Sequence, residues 1–153
     1  MLTARAQVLS NPGVDALRAR LALVANTASA PVATQAGVVY GAALASLRLR
    51  DFTGANRWVQ QLEKTATDQP AQRLTRLLSA EIALAQGQPE RAIALLPEPA
   101  AITTRPELLL YAQAGVVTGR QVEAAQTLQT WVASHPRDGG AWQGLATAYT
   151  AAG

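Results

Sequence analysis

Apolar residues recur three and four positions apart along almost the whole chain, and no stretch alternates apolar with polar for more than a few residues. The first spacing keeps apolar side chains on one face of a helix, whereas a half-buried strand needs the second. The pattern therefore predicts helix after helix and no strand. Proline falls where a helix start tolerates it, at Asn11-Pro12, Ala30-Pro31 and Thr104-Arg105-Pro106-Glu107. Stops or turns are predicted at Arg50-Asp51, Gln69-Pro70, Gln86-Gly87-Gln88-Pro89, Leu96-Pro97-Glu98-Pro99, Thr118-Gly119-Arg120 and His135-Pro136-Arg137-Asp138-Gly139-Gly140. The segments between them have the length of ordinary globular helices.

The turns are themselves periodic. Gly87 precedes Gly119 by 32 residues, Gly119 precedes Gly153 by 34, and Arg50 precedes Gly87 by 37. Two helices in a period near 34 resemble the tetratricopeptide repeat. The last segment carries the resemblance furthest: Trp142, Leu145, Ala146, Tyr149 and Gly153 match the W-x-x-L-A-x-x-Y-x-x-x-G pattern of that family's first helix. Here the large residues are expected to fill the gap to the preceding helix, and Ala146 to let two backbones approach. Earlier units keep small residues at the expected crossings, as the pairs Ala43 and Ala55, Ala80 and Ala92, and Ala112 and Ala124. Phe52 takes the aromatic place of the first turn, Pro70 and Pro136 close units, and Trp131 ends the third.

The fold expected from this resemblance is all-α: tetratricopeptide-like helical hairpins stacked in a right-handed superhelix. About three and a half units occupy 36–153, starting near 36, 73, 105 and 139. Residues 1–35 do not fit the pattern and read as a short helix, Leu2 to Leu9, and a longer one, Pro12 to about Asn26, with Leu17, Leu21 and Val24 on one face. Repeat arrays need atypical ends over their apolar faces, so this segment reads as a cap, with docking on a neighbouring domain as the competing reading. The pattern breaks off at Gly153, before the second helix of the fourth unit, so the chain is expected to be a fragment of a longer protein. The outer flank of its last helix is expected to be covered by a neighbour or loosely ordered.

Composition narrows the chemistry. The chain has 153 residues, 49% of them hydrophobic and 15% charged, enough apolar material for a packed core. Its net charge of +3 comes from 13 basic and 10 acidic residues, and all the cations but Lys64 are arginines, spread singly with no run that could follow a phosphate backbone. No nucleic acid is expected as a partner. No apolar run approaches the roughly 20 residues of a membrane span. The stretch from Ala16 to Ala25 carries Arg18 and Arg20 and reads as one face of an amphipathic helix, not a signal sequence.

Zero cysteines exclude disulfides, thiolate chemistry and sulfur-ligated zinc. The one histidine, His135, has no second histidine and reads as an exposed turn residue, so no metal or cofactor is expected. No phosphate loop, nucleophile elbow or HExxH occurs. Glu81, Glu107 and Glu123 fall on separate helices and read as solvated, capping or ion-paired. The fragment is not expected to be an enzyme.

A tetratricopeptide superhelix offers a concave wall of first helices. From the unit starts, its fifth and ninth positions are Tyr40 and Leu44, Leu77 and Glu81, Leu109 and Gln113, and Gln143 and Thr147, with Arg48 one turn beyond Leu44. This mixed wall would bind a peptide or partner domain, although each leucine could equally belong to the inter-repeat core. Family members that clamp a carboxylate tail place lysine, asparagine and arginine there, so carboxylate clamping is not expected. The competing class is a self-associating adaptor, a homodimer through the terminal helix.

The order of parts also resembles the C-terminal module of bacterial envelope zinc metallopeptidases of the BepA type. The resemblance rests on the Arg5-containing lead helix, Tyr40-Gly41-x-Ala43-Leu44, Asp51-Phe52-x-x-Ala55, Gly87-Gln88-Pro89 and Asp138-x-x-x-Trp142-x-x-Leu145-Ala146. It implies a periplasmic parent with an HExxH protease domain before Met1. It also implies a module that docks on that domain and on outer-membrane β-barrel assembly proteins. None of that family's zinc ligands falls within this chain.

Overall fold

The computed structural model describes residues 32–153, which form seven α-helices and, among the described residues, no strand. In chain order these are α1 (Val32–Arg48), α2 (Phe52–Thr65), α3 (Gln69–Ala85), α4 (Pro89–Leu95), α5 (Arg105–Val117), α6 (Gln121–Ser134) and α7 (Gly139–Ala152), with a 3-10 turn at Pro99–Ala101 between α4 and α5. The all-α expectation holds. The capping helices expected at Leu2–Leu9 and from Pro12 lie outside the described residues.

Three of the inter-helix turns are the same device. Helix α1 ends with Arg50 at φ 56°, α3 with Gly87 at φ 74° and α5 with Gly119 at φ 78°. In each, the left-handed residue donates its N–H three residues back, and the next residue donates five back: Asp51 to Ser46 (2.9 Å), Gln88 to Ala83 (2.9 Å), Arg120 to Gly115 (2.7 Å). This is the Schellman closure, which satisfies carbonyls that the helix end leaves orphaned. The residue that closes one helix is also the N-cap of the next: Asp51, Gln88 and Arg120. The periodic turns are thus tight, three-residue reversals, and they force consecutive helices to pack on each other.

Two of the other turns start helices with carboxylates. The side chain of Asp68 accepts from the Ala71 N–H at 2.8 Å, and that of Asp138 from the Ala141 N–H at 3.1 Å. Both place an anion at a helix N-terminus, where the dipole favours it. Pro70 sits in the first turn of α3, so it opens that helix instead of closing the unit before it.

Packing divides into three successive cores, each built from three helices. The first joins α1, α2 and α3 through Val39, Ala43, Ala55, Leu62 and Leu78. The second joins α3, α4 and α5 through Ala80, Ala92, Leu110 and Tyr111, and the third joins α5, α6 and α7 through Leu108, Ala124, Leu128 and Leu145. Helices α1 and α3, α3 and α5, and α5 and α7 also touch directly. Each element therefore meets only near neighbours in the chain, the arrangement that makes stability a sum of local and nearest-neighbour terms.

Ala43, Ala55, Ala80, Ala92 and Ala124 are completely excluded from solvent, as crossings of close helices require. The closest approach at the α5–α6 crossing uses one more small residue, Gly115, where a Cβ would stand 3.3 Å from that of Ala124. The last helix departs from its expected register. Its buried residues are Ala141, Leu145 and Ala148, whereas Ala146 is exposed and Trp142 and Tyr149 remain 48% and 51% exposed. Helix α7 packs on α5 and α6, and the Trp142–Ala146–Tyr149 face turns away from both.

Candidate functional site

The wall residues fall on α1, α3, α5 and α7, and the structure treats them unequally. Tyr40 and Glu81, 41 positions apart, come together: the Tyr40 hydroxyl donates to Glu81 Oε1 at a long 3.4 Å. Both side chains are half-buried. Burial, then the Glu81 charge and hydrogen bond, raises the Tyr40 pKa. Burial also raises Glu81, against the opposing pull of the Tyr40 hydrogen bond and the nearby positive charge of Arg48. Tyr40, Glu81 and Arg48 therefore form one polar patch across α1 and α3.

Gln113, Gln143 and Thr147 are exposed. Leu44 and Leu109 are half-buried, Leu44 against the first core. Leu77 is a correction to the expected wall: at 6% exposure it belongs to the second core, packed with Ala80 and Tyr111, and offers little surface to a partner. Heptad-like spacing puts a residue on a face without saying whether the next helix covers it.

The wall can accept and donate hydrogen bonds and offers aliphatic surface. Its Thr147 hydroxyl is spent on the Gln143 carbonyl at 3.0 Å. No cluster of three or more histidine, cysteine, aspartate or glutamate side chains suited to a metal ion occurs among the described residues. No helix among them is long and apolar enough to cross a membrane.

Two ion pairs tie α3 to α5 and α5 to α7 at their N-terminal ends. Glu107, 1% exposed, accepts from Arg73 Nε, from Arg73 Nη2 at 2.6 Å and from the Thr104 hydroxyl at 2.8 Å. Burial alone would raise its pKa, but the Arg73 and Thr104 hydrogen bonds and the Arg73 charge outweigh it and hold the carboxyl below the usual range. Asp138 is used three ways: it caps α7, accepts Arg105 Nε at 3.0 and 3.1 Å, and accepts Trp131 Nε1 at 3.1 Å.

Sequence reasoning missed a second surface. Helices α2 and α6 run 14 residues each, but α4 stops after 7, where Leu96-Pro97 breaks it. The chain then crosses as the 3-10 turn, and between this segment and α6 lies a cleft of about 670 Å³. Ile102 and Pro99 line one side, and Glu123, Thr127, Thr130 and Trp131 the other. Trp131 stacks on His135, ring centroids 4.1 Å apart and 14° from parallel. The only sequence signal was the double proline of Leu96-Pro97-Glu98-Pro99, which marks a stop but not how much helix is lost.

No family model, curated protein or solved structure matches this chain.

Proposed function

We propose that the protein is a tetratricopeptide-like scaffold that holds another polypeptide along its first helices. The observation that carries this reading is the unbroken row of contacts from α1 to α3 to α5 to α7, with the second helices behind it. Recurrent left-handed turns and solvent-free alanines at the crossings support the same architecture. In a right-handed superhelix of such hairpins the row is the concave wall. It carries Tyr40, Leu44, Arg48 and Glu81 at one end, Leu109 and Gln113 in the middle, and Gln143 and Thr147 at the other. Its partner is an extended or helical peptide, read by aliphatic contact with a few directional hydrogen bonds.

The parent we propose, on the sequence resemblance, is an envelope zinc metallopeptidase of the BepA type, for which this module would be the docking arm. An HExxH helix in the coding region upstream supports that parent, and an unrelated reading frame there removes it.

The wall is tested by selecting peptides from a displayed random library on the purified protein and mapping the best binder by amide chemical-shift changes. The expected map runs over Tyr40, Glu81, Gln113 and Gln143, and Gln113→Arg weakens binding. A map confined to other surfaces rejects the reading.

A further inference from the structure

The cleft between the 3-10 segment and α6 lies apart from the proposed first-helix wall. We infer that it takes a short extended peptide bearing an arginine, whose guanidinium meets Glu123 and whose stem and apolar neighbour lie on Ile102, Pro99 and Trp131.

Three observations carry this. First, at about 670 Å³ the cleft has the volume of a small-ligand or side-chain pocket. Second, the hydroxyl protons along its α6 wall are already used. The Thr127 hydroxyl proton is spent on the Glu123 carbonyl at 2.8 Å, that of Thr130 on the Gln126 carbonyl at 3.0 Å, and that of Ser134 on the Trp131 carbonyl at 3.0 Å. Trp131 Nε1 is committed to Asp138. What remains on this wall is oxygen lone pairs and the Glu123 carboxylate, while Gln126, Thr103 and His135 supply the donors of the cleft. The Glu123 carboxylate and these lone pairs match an occupant rich in donors, and arginine brings five in a planar fork on a long apolar stem.

Third, the charge agrees. A smaller hollow of about 240 Å³ adjoins the cleft, sharing Pro99 and Glu123, and carries Glu90 and Glu98 with Arg120 as its one cation. The chain as a whole is net positive, so this rim runs against the rest of the molecule. Glu123 has no ion-pair partner within 4 Å among the described residues.

The test uses the full chain and a fluorescein-labelled nonapeptide alternating arginine with leucine. Matched peptides carry citrulline or glutamate in place of arginine. Fluorescence anisotropy at low and high salt is read together with amide chemical shifts. The arginine peptide is expected to bind, weaken as salt rises, and shift Glu123, Gln126 and Thr130. Glu123→Gln should weaken it about tenfold, the worth of a charged hydrogen bond. Thr130→Trp, which fills the cleft from an exposed position, should abolish binding with helix content unchanged. Equal binding of the citrulline peptide overturns the proposal, as does an unaltered affinity in either variant. A shift map on Tyr40, Glu81 and Gln113 overturns it too, by assigning the peptide to the first-helix wall. A concentration-dependent dimer that Thr130→Trp dissolves gives the cleft to a second copy instead.

Discussion

Arg73 and Glu107, 34 positions apart on the neighbouring helices α3 and α5, form a two-pronged ion pair in which the guanidinium stays partly in water and the carboxylate is withdrawn from it, their side chains being 38% and 2% exposed. The asymmetry decides what each partner is worth. Removing Arg73 strands a buried carboxylate with only Thr104 to hold it, whereas removing the Glu107 charge leaves an arginine that water can solvate. Arg73→Ala should therefore cost about 3 kcal/mol and Glu107→Gln about 1 kcal/mol, read from urea denaturation at pH 7. The reverse order would mean that the carboxylate finds other partners.

The same pair sets an acid dependence. The Glu107 pKa is lower in the folded than in the unfolded chain, so its contribution is complete above the ordinary glutamate value and is lost as pH falls through the folded one. The stability gap between wild type and Glu107→Gln should narrow below about pH 4.3. A gap that stays constant to pH 3 would show that the charge state of Glu107 does not matter.

The three left-handed turns predict opposite responses to substitution. Arg50 holds φ 56° with a Cβ, while Gly87 and Gly119 hold the same conformation without one. Arg50→Gly should leave stability unchanged or raise it by up to about 1 kcal/mol, and Gly87→Ala or Gly119→Ala should each lower it by about 1 kcal/mol. Thermal melts of the three variants check this. A destabilised Arg50→Gly would mean that its side chain contributes more than its strain costs.

Much of this architecture was legible because its signals are local. A glycine that ends a helix can be read from the residues beside it, and so could Gly87, Gly119 and, by its spacing, Arg50. Alanines at helix crossings follow the same logic, since spacing says which residues share a face. What spacing does not say is which neighbour that face meets. Spacing puts Leu77 on the wall, and it lies in the core. Spacing makes Trp142, Ala146 and Tyr149 packing residues, yet the stripe of α7 that meets α5 and α6 is Ala141, Leu145 and Ala148. The cleft beside α6 arises from a helix that stops early, which periodicity does not mark. The Arg73–Glu107 pair has the 34-residue separation of the period, but the apolar spacing does not say that these two charges meet.

Glu81 should be a net cost to the fold at neutral pH. Its pKa is raised in the folded chain by burial, only partly offset by Tyr40 and Arg48. A carboxyl of that kind favours folding when protonated, below its unfolded pKa, and opposes it increasingly as pH rises through the folded one. Glu81→Gln keeps an acceptor for the Tyr40 hydroxyl and removes the buried charge, so it should melt higher than wild type at pH 7 and no higher at pH 4. Equal melting temperatures at pH 7 would show that Arg48 compensates the charge fully.

The tryptophans of α6 and α7 test where packing lies. Trp131 is half-buried against the third core, stacks on His135 and bonds Asp138, which in turn holds Arg105 and caps α7. Trp142 is 48% exposed and its one polar contact is to the Pro136 carbonyl at 2.9 Å. Truncating the first removes buried area and leaves a cavity and an under-satisfied cap, so Trp131→Ala should cost about 3 kcal/mol. Trp142→Ala removes mainly solvent-facing surface and should cost about 1 kcal/mol or less. Trp131→Phe separates the two contributions of that side chain, keeping most of the packing and losing the Asp138 bond, for about 1 kcal/mol. Chemical denaturation of the three variants orders them, and equal losses at both alanine sites would place as much packing on the outer flank of α7 as within the core.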